Sequence, residues 1–583
     1  MKSMRFLLIT VLSASVFSGI VKDIVAQVTA PNVIVIITDD QGYGDIAIHG
    51  NQMIQTPNMD KLYAESVRLT NYHVDPTCSP TRSALMSGRY STRTGVWHTI
   101  NGRSLMSTAE YTMAEVFRDN GYKTAMFGKW HLGDNYPCRP QDQGFEHTFI
   151  HGGGGVGQGP DYWDNDYFDD IYWRNGVPEK QKGYCTDVWF EDALNFIKRN
   201  RNKPFFAYIS TNAPHGPFLV DEKYSQPYKD KGVGNGQAEF YGMIENIDEN
   251  LGRLVTKLDE WKLAQNTILI FTTDNGSAMG HRVIKGAQWK GFNAGMRDGK
   301  GSEYDGGHRV PFYIRYPAGK LGGGRDVQQL SAHIDILPTL TELCSLNDKS
   351  AASRDGISMK APLYGDNTAV KDRTVLVHSQ RIENPEKLRK CAVMTQRWRL
   401  VNGKELFDMD ADAGQKQNVA NEYPDVVNKL TAEYDQWWNS LKPVFSQFVR
   451  IAVGSGEQPE SLLHSHDWHA AGGMTPWHQN HVRSGAMGNG FWAIDVANAG
   501  MYEIELRRWP KHINKPLDAV SAAIQVGGHN KTAVLDEKQL RHSITFKLEL
   551  PKGPTKLQTY MTLPNGKIRG SYFVYIRRVD TTN

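Results

Sequence analysis

The stretch Asn32-Val33-Ile34-Val35-Ile36-Ile37-Thr38-Asp39-Asp40 decides the architecture. An unbroken row of β-branched residues favours extended backbone. Because polar and apolar positions do not alternate, the strand is expected to be covered on both faces, as in a parallel sheet. It ends abruptly in two acids. Three more runs repeat this grammar: Lys123 to Phe127 leads into Lys129 and His131, Phe205 to Ser210 leads through Ala213-Pro214 to His215, and Thr267 to Thr273 leads into Asp274 and Asn275. Helical patterns lie between them at Pro57 to Leu69 (capped by Thr56), Thr186 to Asn200 and Gln237 to Lys262. Such alternation predicts an α/β fold, a doubly wound and mostly parallel sheet with helices on both faces. Ligands of such sheets bind beyond the carboxyl ends of the strands, so Asp39, Lys129, His215 and Asp274 are expected in one crevice.

Further along, Gly301 to Pro317 reads as a loop entering another strand, and Ala332 to Pro338 as the start of a helix. Arg397 to Asp410 and a helix from Tyr423 to Ser440 suggest a small antiparallel subdomain. Beyond about residue 448 short alternating runs separated by turns take over: Phe491–Val496, Met501–Arg507, Ser521–Val526, Ser543–Leu550 and Ser571–Arg577. They predict an appended β-sandwich. The expected division is 1–26 as a signal peptide, 27–375 as the α/β unit, 376–447 as the antiparallel sheet with its helix, and 448–583 as the sandwich.

Between the first two strands lies Thr77-Cys78-Ser79-Pro80-Thr81-Arg82, continuing as Ser83-Ala84-Leu85-Met86-Ser87-Gly88-Arg89. Pro80 suits the first turn of a helix and Gly88 can close it. Cys78 is thus expected just before a helix N-terminus, with Arg82 one turn on, where positive potential favours anions. By itself the run also fits a buried cysteine beside a turn. Together with Gly121-Tyr122-Lys123-Thr124-Ala125-Met126-Phe127-Gly128-Lys129-Trp130-His131, however, it resembles the two signatures of the formylglycine-dependent type I sulfatases, across about residues 31 to 445.

That resemblance implies a particular chemistry. A maturation enzyme would oxidise Cys78 to formylglycine (3-oxoalanine), whose hydrate is the nucleophile: one hydroxyl attacks sulfur as the substrate oxygen leaves, and the second then expels sulfate. Arg82 and His131 resemble the residues that hold this hydrate. Lys129 and Lys300, the latter within Gly299-Lys300-Gly301-Ser302, match the sulfate-binding lysines, and His215 is the candidate acid for the departing alcohol. Asp39, Asp40, Asp274 and Asn275, with residue 78, form the expected metal site. All four side chains are oxygen donors without paired histidines or cysteines, which points to calcium first and magnesium second. Trp97, His98, Asn101, Arg103, Trp163, Asp164, His281 and Arg282 lie near the motifs, and of these Trp97, His98, Arg103, His281 and Arg282 are the principal substrate-pocket candidates.

Composition sets outer limits. A net charge of +3 on 583 residues gives no reason to expect nucleic acid or a polybasic membrane contact. Lys2 and Arg5, the apolar stretch Phe6 to Ile20 and a small residue at Ala26 read as an export signal, hence a periplasmic or extracellular protein without a stable membrane span. Of five cysteines, four remain if Cys78 is consumed, and these could form two disulfides or stay as thiols. The glycine run His151 to Gly159 lacks the Gly-Lys-Ser/Thr of a phosphate loop and fits a loop lining the cleft. His464, His466, His469, His478 and His481 are spaced like an ordinary polar loop. The implied substrate is a sulfated carbohydrate. The alternatives are a phosphonate monoester or phosphodiester hydrolase of the same superfamily and a catalytically silent sulfated-glycan binder.

Overall fold

The computed structural model describes residues 30–579 apart from 367, 369, 371, 471–473 and 536–540. The signal-like segment 1–26 lies outside the described residues. Ten strands form the central sheet, in the order Arg325–Val327, Val67–Leu69, Phe312–Arg315, Thr267–Thr273, Asn32–Thr38, Phe205–Ser210, Lys123–Lys129, His147–His151, Ile171–Arg174 and Val177–Lys180. The five central strands, from Thr267–Thr273 to His147–His151, run parallel. Antiparallel neighbours flank them on both sides.

Period-two geometry divides the first strand between two cores. Ile34 and Ile36 face helices Pro57–Glu65, Cys185–Asn200 and Gln237–Glu260. Val33, Val35 and Ile37 face Cys78–Ser87, Met113–Asp119 and Ile336–Leu343. Each of these side chains is buried on a helix-covered face, so a truncation such as Ile34→Ala would cost about 2–5 kcal/mol.

Register aligns the functional ends. Ile37 lies opposite Thr272 on one side and Ser210 on the other, while Gly128 also faces Ser210. The residues that follow, Asp39, Asp40, Lys129, Thr211 and Asp274, therefore emerge at one edge of the sheet.

The helix expected through Leu69 ends at Glu65, and Val67–Leu69 is a strand between Phe312–Arg315 and Arg325–Val327. Cys78 is itself the first helical residue, with Thr77 extended before it. The loop after Gly301 contains a short helix, Asp305–His308.

A four-stranded antiparallel sheet (Val375–His378, Cys391–Met394, Trp398–Val401, Glu405–Asp408) packs one face on helix Pro424–Phe445 through Leu400, Leu406, Tyr434 and Trp438. Its other face meets Tyr304 and Ile334. Toward the C-terminus two sheets share one core. Trp492, Ile494, Ile524 and Leu557 come from one sheet, and Ile504, Leu548 and Ile576 from the other. This is a sandwich, although Ile451–Val453 and Phe491–Val496 pair in parallel. All five cysteines are buried free thiols. Among the described residues no helix is long and apolar enough to cross a membrane.

Candidate active site

Helix Cys78–Ser87 is buried along its whole length, and Gly88 closes it at φ 62° with its N–H on Ala84 O. This left-handed cap needs no Cβ, which is why glycine is suited to it. Cys78 Sγ lies 3.6 Å from Asp39 Oδ1. One turn later Arg82 donates through Nε and Nη2 to Asp274 Oδ2 at 3.1 and 2.8 Å, and through Nη1 to Lys129 O at 3.1 Å. Arg82 Nη1 also donates to Ser210 Oγ, which in turn donates to Lys129 O at 2.8 Å. One guanidinium thus ties together the ends of three strands.

Each of three buried acids has its own cation. Lys129 Nζ is 2.6 Å from Asp39 Oδ2, Lys300 Nζ is 2.7 Å from Asp40 Oδ2, and Arg82 holds Asp274. Asp40 sits at φ 72°, a left-handed conformation that costs about 1–2 kcal/mol outside glycine. It turns the side chain toward Lys300 and Asn275, whose Nδ2 donates to Asp40 Oδ1 at 2.9 Å. The Asp40 N–H donates to Asp274 Oδ1 at 3.0 Å.

Burial raises the Asp39 carboxyl well above the usual range; the Asp274 charge adds to this and Lys129 opposes it. For Asp40 burial also pushes up, but Lys300, His215 and Lys129 outweigh it and the net direction is down. Burial pushes the Cys78 thiol up to about 12 despite Lys129 and Lys300, so an unmodified cysteine here is a thiol rather than a thiolate nucleophile at neutral pH.

Ligand atoms of Asp39, Asp40, Cys78 and Asp274 all lie within 4.8 Å of one another, and all four residues are buried. Asn275 Oδ1 is buried without a hydrogen-bond partner among the described residues. Crowded hard oxygen donors with one unused amide oxygen fit an oxygen-seeking divalent cation. A second buried trio, His73, Asp305 and His308, already carries a cation: Arg399 reaches Asp305 Oδ1 at 3.2 Å and His73 Nε2 at 3.3 Å.

The histidines can be assigned by hydrogen-bond accounting. His131, at φ 60°, meets Thr99 O through Nε2 at 2.9 Å. A carbonyl only accepts, so the proton is on Nε2 and Nδ1 presents a lone pair. Burial, then Lys129, hold this imidazole well below its usual range. His215 Nδ1 lies 2.6 Å from Gly216 O and must donate there, leaving Nε2 bare at 3.9 Å from Asp40 Oδ2. Burial and then Lys300 lower His215 to about 3. Burial also disfavours the Lys300 ammonium, but Asp40 and Cys78 outweigh it and the direction is up. Lys300 therefore keeps its proton, and an anion brought to His215 Nε2 would raise the imidazole toward protonation.

The glycine run lies directly over these rings. A Cβ at Gly154 would come within 2.5 Å of His131 Nδ1 and closer still to Cε1 and Nε2, and one at Gly155 would be 3.2 Å from His215 Nδ1. Tyr167 hydroxyl donates to His215 O at 2.6 Å.

The remaining candidates divide. His98 is buried, and its Nδ1 accepts from Thr99 N and Ile100 N at 2.7 and 3.1 Å. Trp97 and Arg103 sit in a junction: Trp97 Nε1 donates to Ile382 O, and Arg103 pairs with Glu383 and reaches Gln447 O at 2.6 Å. The polar atoms of both are taken up by partners within this junction, so they brace the site rather than offer a group to a ligand. His281 packs on Gly299 beside Lys300, and Arg282 is exposed on the same loop. Asn101 bonds the C-terminal segment, as does Asp164, which pairs with Arg483; Trp163 belongs to the sandwich core. Ser210 and Tyr167 are functional residues that the sequence left unassigned, whereas Gly154 belongs to the run expected to line the cleft and does so. Of the first two, only Ser210 carried a signal in the sequence, as the polar end of an apolar run.

Residues 31–346 match the family described as Sulfatase, more than half of the chain, and the protein belongs to that family. N-acetylgalactosamine-6-sulfatase of Sus scrofa is 30% identical over 353 residues, 56% of this chain and 65% of that protein, so the chain spans just under two thirds of that relative's length. N-acetylgalactosamine-6-O-sulfatase of Bacteroides thetaiotaomicron is 27% identical over 494 residues, 69% of this chain and 92% of that protein. The solved structure of Ps i-CgsB in complex with k-i-k-neocarrahexaose superposes with a TM-score of 0.62 at 26% identity, covering 70% of this chain and 93% of that one.

Proposed function

We propose that the protein is a sulfuric ester hydrolase that removes sulfate from a sulfated carbohydrate in an exported compartment. The observation that carries this reading is Cys78 set among three buried carboxylate–cation pairs, with Asn275 Oδ1 left over. The names of the relatives support the carbohydrate. In this reading 27–375 is the catalytic unit, 376–447 closes it and 448–583 is the accessory sandwich.

Asp39, Asp40, Asp274 and Asn275 would hold calcium, which supplies Lewis acidity toward a sulfate oxygen, and a maturation enzyme would convert Cys78 to formylglycine, which supplies a hydrated aldehyde as nucleophile. The chain's own residues do the rest. Lys129 and Lys300 offer ammonium groups to the ester oxygens in a water-poor site, where such charge is most effective. Arg82 fixes Asp274 and the Lys129 carbonyl in place. His131 presents Nδ1 as a proton acceptor. His215, its imidazole raised by the sulfate anion beside it, can deliver a proton to the leaving oxygen while Lys300 stays charged next to it.

The test uses the full chain purified from its natural export route. Aldehyde labelling at position 78, with sulfate release from 4-nitrophenyl sulfate and from monosulfated N-acetylgalactosamine, galactose and glucosamine, is the expected result. Cys78→Ser is expected to yield no more than a single turnover. Sustained turnover by that variant, or faster cleavage of an aryl phosphonate than of the aryl sulfate, overturns the proposal.

A further inference from the structure

The histidines of 464–481 do not form an ordinary polar loop. The segment is stitched to the catalytic loops: Asn101 N donates to His466 O at 2.9 Å, Gly159 N to Trp477 O at 2.8 Å, and Gln479 N to Gly157 O at 2.9 Å. His466 is 1% exposed, no more accessible than Cys78 at 2%. Its ring centroid lies 6.1 Å from that of His131. The family match ends at residue 346, so this wall of the site comes from outside it.

Its hydrogen bonds are incomplete in an informative way. His466 Nδ1 is 2.8 Å from Asp467 Oδ1, which places a proton on Nδ1, so that in the neutral ring Nε2 is an acceptor. His466 Nε2, Asp467 Oδ2 and His131 Nδ1 are all buried without a partner among the described residues. The hydrolase reading gives His131 Nδ1 to the hydroxyl at position 78, which leaves His466 Nε2 and Asp467 Oδ2 without a donor, at about 1–3 kcal/mol each in a dry interior. What completes them is a molecule that donates.

We infer that His466, oriented by Asp467, accepts a hydrogen bond from a ring hydroxyl of the sugar that bears the sulfate, making the C-terminal sandwich part of the substrate pocket. This rests on the hydrolase reading above. His466 lies on the side of His131 contributed by the sandwich, whereas the carboxylates and lysines come from the sheet edge. His131 connects the two, standing two residues after Lys129 in the chain and 6.1 Å from the His466 ring. Hydroxyls supply the missing donors, and an aryl ring does not.

The experiment compares His466→Phe, which keeps a ring but removes the acceptor, and Asp467→Asn with the unaltered protein. The probes are 4-nitrophenyl sulfate and the best-used of the three monosulfated sugars named above. Expected is a loss in kcat/KM of roughly 10- to 100-fold on the sugar, seen mainly in KM and at least tenfold larger than the loss on the aryl sulfate. His466→Gln, which retains an acceptor, should recover part of it. Equal losses on both probes, or none on either, overturn the inference while leaving the hydrolase reading intact. Turnover of the aryl sulfate with no sulfated sugar accepted overturns it too. Absence of activity on every probe is instead a failure of the underlying reading.

Discussion

Gly154→Ala tests how the glycine run positions His131. A methyl at this position would stand 2.5 Å from His131 Nδ1 and nearer to two other ring atoms, whereas ordinary contact begins at about 3.4 Å. Ring or loop must therefore give way by about 1 Å or more. The ring has little freedom: it is buried, its Nε2 is held by Thr99 O, and its backbone is already left-handed at φ 60°. The loop is pinned by Gly154 N on Gln158 Oε1 at 3.0 Å and by Gly153 N on Asp134 Oδ1 at 3.0 Å. A misplacement of ~1 Å in a catalytic constellation can cost ~100-fold in rate, or about 2.7 kcal/mol of transition-state stabilisation. The assay is kcat/KM on 4-nitrophenyl sulfate, with Gly456→Ala as control because nothing lies within 4 Å of its Cβ. Combined with His131→Ala, Gly154→Ala should add little, since both act through one ring. A Gly154→Ala enzyme within about twofold of the unaltered protein, or full additivity with His131→Ala, refutes this reasoning.

Two further outcomes are expected. Arg82→Lys keeps the charge but cannot serve Asp274, the Lys129 carbonyl and Ser210 together, so it should cost about 3 kcal/mol in urea unfolding, the value of one or two charged hydrogen bonds; an unchanged midpoint would count against it. Asp45 is pushed up by burial to about 7 from 3.8, against Ser277 and Gly42, and its Oδ1 has no partner among the described residues. The native state therefore keeps this proton where the unfolded chain releases it, and stability falls as pH rises from about 4 to about 7. Urea midpoints of Asp45→Asn should lack this decline, worth about 4 kcal/mol at most; parallel pH profiles of the two proteins would contradict it.

The central strands and their polar ends were readable because β-branched runs such as Val33–Ile37 report burial directly. Val67–Leu69 was not: continuity with the preceding helix suggested more helix, and only pairing with Phe312–Arg315 and Arg325–Val327, distant in sequence, makes it a strand. Gly553–Thr562 was missed for a related reason, since its first half faces solvent and shows no apolar face. Cys78, Arg82 and the two lysines stand in local motifs, so the sequence exposed them. His466 does not, and Gly154 is marked only as one member of a glycine run that reads as a cleft loop. Their meaning lies in His131, hundreds of residues away from one and packed against the other, and no local pattern encodes that contact.

The joint between the glycine run and the sandwich has a consequence for biosynthesis. Gln158 and Gln479, bonded to each other, are 321 residues apart. A ribosome must therefore finish most of the chain before that joint can form over His131 and His215, beside a Cys78 that the completed fold buries. An enzyme that acts on Cys78 before that moment meets the catalytic loops without the sandwich segment that is stitched to them in the finished fold.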